Sequence, residues 1–353
     1  MINWLNKKKI NFNRIEELLK KCDEKNQYTN YGPNVKFLEK FIKEKYAIHD
    51  NKAVIVVANA SLGLQILTKS LSIYNNQTTI NWSTQSFTFP PSNQGSLHES
   101  LILDIDLDGG LELREIENNI NGLIVTNIFG NVVDIEKYTA FSKKNNKFLI
   151  FDNAATHYTF YKGKNCLNYG DGSVISFHHT KPFGFGEGGA IIVDKKYEET
   201  IRKLINFGIN LYSENYYSNE GNNCKMSDIS AVYIIQYLEE HFDIIIRKHL
   251  ELYNYFKKKL FIFENKVTLF PSFHDEDKIC PSCLCIIFNN PNKSLEIEKL
   301  MLENNIFSRK YYHPLKETKN AIDIYDRILC LPCNIDMSFC DIDNIISIIE
   351  KNL

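Results

Sequence analysis

No apolar run in this 353-residue sequence reaches the roughly 18–20 residues that a membrane-spanning helix needs. The opening stretch MINWLNKKKINFNRIEELL lacks the apolar segment of a signal peptide. A membrane protein and a secreted one are both set aside, and a cytoplasmic location is expected. A basic block is missing too: 41 lysines and arginines against 43 acids leave a net charge of −2, spread along the chain. That is not the footprint of a nucleic-acid or acidic-membrane binder. There is no internal repeat and no low-complexity tract. No G-x-G-x-x-G follows the first apolar strand, which argues against a dinucleotide-binding domain.

Disulfides are not expected either. Nine cysteines in a chain without a secretion signal read as reduced thiols. The pairs Cys280/Cys283 and Cys330/Cys333 have the formal spacing of a four-thiolate zinc site. Residues 283–288 (CLCIIF), however, read as an apolar strand, and no further ligands gather around either pair. The cysteines therefore read as small buried apolar side chains, and no metal is expected.

What is present is a regular alternation of strands and helices. Apolar runs at 53–58 (AVIVVA), 78–82 (TTINW), 100–106 (SLILDID), 122–128 (GLIVTNI) and 147–152 (KFLIFD) read as strands. Helical spacing marks 34–46, 61–71 and 134–145. Two more strands are expected at 173–177 and 189–193. Such a pattern predicts an α/β fold whose mostly parallel sheet is covered by helices on both faces. From residue 228 a long helical stretch begins, and beyond it the pattern becomes α+β. With 44% hydrophobic residues, the chain suits a large domain, residues 1–235, and a smaller C-terminal one, residues 236–353. No proline- or glycine-rich linker marks the join.

In such sheets ligands gather at the C-terminal ends of the strands, and four features converge there. Lys181 lies in a glycine-rich connection between two apolar strands, where the backbone can approach a ligand closely. A lysine in such a place suits covalent attachment to an aldehyde, typically pyridoxal phosphate. Ser176, five residues earlier, offers a hydroxyl for a phosphate. Asn59, Ala60 and Ser61 follow the first strand and open a helix, whose N–H groups favour an anion, although an ordinary helix cap explains them as well. Asp152 ends a strand, where a carboxylate can keep a pyridine nitrogen protonated. Phe89, after the 78–82 run, offers a flat ring for stacking. His157, His178 and His179 have no metal-ligand spacing; a core or supporting role is as open to each as contact with a ligand.

These residues resemble the DegT/DnrJ/EryC1/StrS family of sugar aminotransferases, which have the aspartate-aminotransferase (type I) fold. The resemblance spans nearly the whole chain. Thr29 to Pro33 resemble the entry motif, Thr88-Phe89 the stacking segment, and Phe129-Gly130 the glycine turn after the middle strand. Ser176-Phe177-His178 through Lys181 to Gly186-Glu187-Gly188-Gly189 is the most specific match. Gly221 to Met226, Tyr312-His313-Pro314-Leu315 and Leu329 to Pro332 resemble further family motifs. Two positions depart. Ala155 stands where the family usually has Gln or His touching the cofactor's ring hydroxyl, leaving Asn153 or a water to compensate. Lys225 stands where arginine is usual, so a bidentate contact would be lost.

The resemblance implies a pyridoxal 5'-phosphate enzyme in which Lys181 carries the cofactor and shuttles the proton. Ala60, Ser61, Phe89, Asp152 and Ser176 would bind the cofactor, and Asn223 would reach the phosphate of a neighbouring subunit, making a homodimer with shared active sites. His178, Glu187, Tyr312 and His313 would face the substrate. Glutamate is the implied amino donor and a nucleotide-linked keto sugar the acceptor. His178, Thr180 and Glu187 match members that aminate C4, so the expected product is a 4-amino-4,6-dideoxy sugar, dTDP-linked and destined for surface polysaccharide. A UDP-linked substrate, a C3 aminotransferase and a non-catalytic cofactor-binding regulator remain the alternatives.

Overall fold

A computed structural model describes residues 1–77, 79–209, 217–271 and 278–353. Its larger sheet is built from β1 (Lys52–Val57), β2 (Trp82–Gln85), β3 (Leu101–Leu103), β4 (Gly122–Thr126) and β5 (Phe148–Asp152). After a short hairpin, β6 (Phe160–Tyr161) and β7 (Lys164–Asn165), come its last two strands, β8 (Gly172–Ser176) and β9 (Gly189–Asp194). The seven strands lie in the order β1-β9-β8-β5-β4-β2-β3. Only β9 runs against its neighbours.

The sheet is apolar on both faces, and the two-residue strand period shows how. Val54 and Val56 of β1 face one core with Leu123, Val125, Leu149 and Phe151. Ala53, Ile55 and Val57 face the other, with Ile124, Ile150 and Val174. The first face is covered by α1 (Phe12–Asp23), α2 (Pro33–Lys45) and the first half of a long helix; the second by α3 (Ala60–Tyr74) and, after α4 (Ile135–Lys144), by α5 (Glu198–Leu204). A mostly parallel sheet sandwiched between helices is the expected architecture, and it is the one present.

The long helix, α6 (Asp228–Leu260), serves two cores. Its residues from Ala231 to Ile245 pack into the first, while Leu252, Tyr253, Phe256 and Leu260 enter a separate one. The second core belongs to an antiparallel sheet of β10 (Val267–Leu269), β11 (Leu284–Phe288) and β12 (Ile328–Leu331), with α7 (Pro291–Glu303) and α9 (Phe339–Asn352), while Ala321 and Ile324 of α8 (Lys319–Arg327) pack on the opposite face. Leu284, Ile286, Phe288, Leu329 and Leu331 face that core. The alternate residues Cys283, Cys285, Ile287, Ile328 and Cys330 face back toward the large sheet, against Phe87, Ile128 and Phe129.

One expected strand is shifted. The run at 78–82 predicts a strand there, whereas β2 begins at Trp82 and continues through Ser83, Thr84 and Gln85, all fully buried; Thr78 lies outside the described residues. The hydrophobic pattern misses this strand because it is built from polar residues, of which Gln85 is bonded inside the fold while the Thr84 hydroxyl has no partner among the described residues. Gln85 Nε2 donates to the Gly109 carbonyl at 2.9 Å, and its Oε1 accepts from the Thr126 N–H at 2.9 Å.

Two buried carboxylates join distant segments. Asp228, at the start of α6, accepts from the N–H groups of Gly32 (3.0 Å), Asn34 (2.8 Å) and Val35 (3.1 Å), capping α2 from across the fold. A side chain at Gly32 would collide with that carboxylate. Asp104, just after β3, accepts from Thr318 Oγ1 (2.7 Å) and from the N–H groups of Asn320 and Ala321, tying α8 to the sheet edge. Replacing Asp228 by Ala strands three buried donors. Unfolding free energy should fall by about 2–4 kcal/mol, read from the denaturant midpoint at unchanged m-value.

Candidate active site

The connection from β8 to β9 is a continuation of their antiparallel pairing. Ser176 pairs with Gly189, then the Phe177 N–H donates to the Gly188 carbonyl (2.8 Å) and the His179 N–H to the Gly186 carbonyl (2.8 Å). Lys181 sits at the tip between two successive turns, its N–H bonded to the His178 carbonyl and its carbonyl accepting from Gly184 N–H. Only glycine fits at 184: a Cβ there would lie 2.1 Å from the His178 carbonyl oxygen. At Gly189 a Cβ would lie 2.5 Å from the Ala60 nitrogen, so the start of β9 is pressed against the first turn of α3.

The Lys181 amine is half-buried and has no hydrogen bond or ion pair among the described residues. Burial pushes it below its ordinary range, while Asp152 and Cys283 pull it back up. Asp152 is 5% exposed at the end of β5, and one carboxylate oxygen accepts from the Ala154 N–H at 2.9 Å. Burial raises its carboxyl, opposed by that N–H and by Lys181. A free amine and a buried carboxylate thus sense each other at the C-terminal edge of the sheet.

The other expected residues have the following surroundings. Asn59 Oδ1 accepts from Leu62 N–H (2.9 Å), the ordinary helix cap. The first turn of α3 leaves the N–H groups of Ala60 and Ser61 without intrahelical partners, directed at the same edge. Ser176 is buried, and its hydroxyl accepts from His178 N–H (3.2 Å). His178 Nδ1 shares a proton with Thr180 Oγ1 (2.8 Å), and its Nε2 lies 3.4 Å from Glu187. Tyr312 stacks flat on Phe129 at 5.2 Å and meets Phe89 at a tilt at 6.3 Å; Phe89 itself is 60% exposed. Asn223 is exposed beside Ala58, whose N–H donates to the Cys224 carbonyl (2.8 Å). His313 is turned outward, against Tyr325 on α8.

One gap is at Ala155. Asn153 does not fill it: fully buried, it donates to Ser173 Oγ (2.6 Å) and accepts from Asn127 Nδ2 (2.7 Å), pointing into the sheet rather than toward Lys181. Lys225, in place of the usual arginine, donates to Asn206 Oδ1 (2.7 Å) and lies over the Phe207 ring. His157 packs flat on Phe183 at 5.3 Å, in the core. It lies near the backbone of Ala154 and Ser176 without reaching hydrogen-bond geometry, and both ring nitrogens lack partners among the described residues.

Sequence reasoning missed Lys8. Its ammonium donates to the carbonyls of Lys181 (2.8 Å) and Gly184, bracing the lysine turn from below, and rests over the Tyr237 ring. Burial pushes its pKa down to about 7. A lysine eight residues from the start reads as a surface charge, and nothing in the local pattern distinguishes it.

The fold is shared with solved aminotransferases. The backbone matches Helicobacter pylori PseC, an aminotransferase involved in the biosynthesis of pseudoaminic acid, with a TM-score of 0.84 at 17% identity, covering 99% of this chain and 98% of that one. The architecture is that of the fold-type-I transaminases, whose cofactor is pyridoxal phosphate. Within that class the chain belongs to the DegT/DnrJ/EryC1/StrS aminotransferase family, whose model matches residues 10–350. A dTDP-4-amino-4,6-dideoxy-D-glucose transaminase from Shigella dysenteriae is 26% identical, over 92% of each chain. A UDP-4-amino-4,6-dideoxy-N-acetyl-beta-L-altrosamine transaminase from Campylobacter jejuni is 27% identical, over 70% of this chain and 73% of its own. The chain is therefore a pyridoxal-phosphate-dependent aminotransferase of a nucleotide-sugar family.

The residues present fit the cofactor. Lys181 has a free amine, Asp152 a carboxylate oxygen beyond the one held by Ala154, and α3 an open first turn beside Ser176.

Two buried histidines set an acid limit on stability. Burial lowers His157 from the usual 6.5 to about 3, and His249, bonded to the Pro281 carbonyl (2.7 Å), to about 4. Below about pH 6.5 the unfolded chain takes up protons that the folded chain refuses, so stability falls as pH drops toward those values. Each group contributes about 1.4 kcal/mol per pH unit inside its window. Denaturant unfolding from about pH 7 to about pH 5 should show this slope, and a His157→Leu variant should show a shallower one.

Proposed function

We propose that this enzyme moves an amino group from glutamate to C4 of a nucleotide-linked 4-keto-6-deoxyhexose, giving a 4-amino-4,6-dideoxy sugar. The observation that carries the reading is the Lys181 amine, without a partner among the described residues, within electrostatic reach of the buried Asp152 carboxylate. The Shigella relative, which aligns over nearly the full length, supports C4 and a dTDP-linked sugar. The Campylobacter relative makes a UDP-linked substrate the arm to test against it. We place the enzyme in the cytoplasm, acting in the supply of surface polysaccharide.

Pyridoxal phosphate, when bound, supplies an aldehyde that carries the amino group and a ring that accepts the electron pair released at carbon. The chain's own residues do the rest. Asp152 would hold a proton on the ring nitrogen. The N–H groups of Ala60 and Ser61, with the hydroxyls of Ser61 and Ser176, would bind phosphate oxygens. Phe89 would offer its ring for stacking. Lys181, kept short of its usual basicity by burial, takes the proton from the donor's α-carbon and delivers one to the sugar carbon that receives nitrogen. His178 and Glu187 stand at the sugar end, with Tyr312 on the facing rim; His313, turned outward against Tyr325, is not one of the substrate contacts. Residues 1–235 are assigned to the cofactor-binding domain and 236–353 to the smaller one, with α6 joining them, since its Tyr237, Leu238, Phe242 and Ile245 still pack into the first core. Asn223, exposed here, serves the phosphate of a second subunit, which makes the working unit a homodimer.

Incubation with glutamate and matched 3-keto and 4-keto sugars on dTDP and UDP, read by mass spectrometry and NMR, should give amination at C4 of the dTDP substrate. Amination at C3 would replace this assignment, and no loss of the yellow cofactor band on adding glutamate would end the transferase reading. Lys181→Ala should lose covalent cofactor and turnover while melting like the parent, because its amine makes no bond among the described residues. Full activity in a monomer at micromolar concentration would rule out the shared site.

A further inference from the structure

The small-domain sheet places three cysteines on the face that meets the large domain. Cys285 lies on β11 with Cys330 of β12 as its register partner, and Cys283, immediately before β11, packs into the same cluster. Their sulfurs all lie within 4.8 Å of one another, with Cys283 and Cys285 at 3.3 Å. All three are at most 5% exposed. Cys280 and Cys333 point instead into the two other cores, so the two paired motifs do not assemble as a four-thiolate site among the described residues.

We propose that Cys283, Cys285 and Cys330 form a binding site for a trivalent thiophilic ion of the arsenite type. Geometry supplies the first argument. Metal–sulfur bonds of about 2.3 Å place three sulfurs about 3.4–4.0 Å apart around a trigonal or pyramidal centre, inside the range the chain already holds. Coordination number is the second. A structural zinc ion needs a fourth ligand, and no fourth His, Cys, Asp or Glu joins the cluster among the described residues. Charge is the third. The surroundings are apolar, lined by Phe87, Phe129, Ile287 and Ile328. Three thiolates around a trivalent ion are neutral, whereas a dication or a monovalent ion leaves uncompensated charge to bury. The binding step balances: three As–S bonds replace three As–O bonds, each thiol proton leaves with one hydroxide as water, and nothing changes oxidation state.

The site adjoins the lysine, since Cys283 is near enough to interact electrostatically with the Lys181 amine. Bound ion would therefore sit behind the wall formed by Tyr312 and Phe129, on the small-domain side of the cleft.

The test uses the full-length holoenzyme and arsenite alone. Native mass spectrometry should show one arsenic gained for three hydrogens lost, and arsenic X-ray absorption should count three sulfur neighbours, with the far-UV spectrum unchanged. Cys285→Ala and, separately, Cys330→Ala should lose the one-to-one adduct, while Cys340→Ser, altering the exposed cysteine, should keep it. Two sulfur neighbours in the parent protein, an adduct that survives Cys285→Ala, or one-to-one binding of zinc but not arsenite would each overturn the proposal.

Discussion

The antiparallel pairing of β8 with β9 is the constraint on which the site depends. An amine held close to a buried carboxylate without an ion pair is costly, and a loose loop would relax it into solvent. Here the loop is a turn closed by backbone hydrogen bonds on both sides and seated on the Lys8 ammonium. Because β9 is the single reversed strand of the sheet, the chain turns back immediately after Ser176. Lys181 is thereby returned to the edge where Asp152 and the first turn of α3 end.

The second requirement is that two cores stay in register across the cleft. Helix α6 runs through both, and Asp104 and Asp228 fasten distant segments largely through backbone N–H groups. The amino-terminal residues add a strap: Ile2 pairs with Ile306, Asn334 donates to the Asn3 carbonyl, and Lys8 reaches the lysine turn. The aromatic group of Phe87, Phe129 and Tyr312 fills the space between the two sheets, and Leu315 N–H bonds the Ser86 carbonyl (2.8 Å).

Much of this was legible in residue order. Strands buried on both faces are runs of β-branched residues, and β1, β4, β5 and β9 announce themselves that way. The glycine-rich setting of Lys181 and the strand-end position of Asp152 followed from chemistry at strand termini, and the family motifs confirmed the class. The illegible parts share one cause, namely that their logic is tertiary. Strand β2 is polar because its partners are distant carbonyls. Asn153 could not be placed from its neighbours, since strand alternation turns it away from the site. Lys8 is buried by a loop 173 residues further on. The three clustered cysteines depend on cross-strand register, which a search for paired C-x-x-C spacings does not see.

Sheet order also bears on how the chain is made. Strand β1 (KAVIVV) is completely buried, and among the described residues β9 is the one strand beside it in the sheet, apart from a single bridge of Val57 to Lys225. During synthesis Lys52 must wait until Asp194 has been made, so an apolar edge stays unpaired while more than a third of the protein emerges from the ribosome. Newly made chains are thus most exposed to misassembly through that one segment, and it is where a nascent-chain chaperone would find its hold.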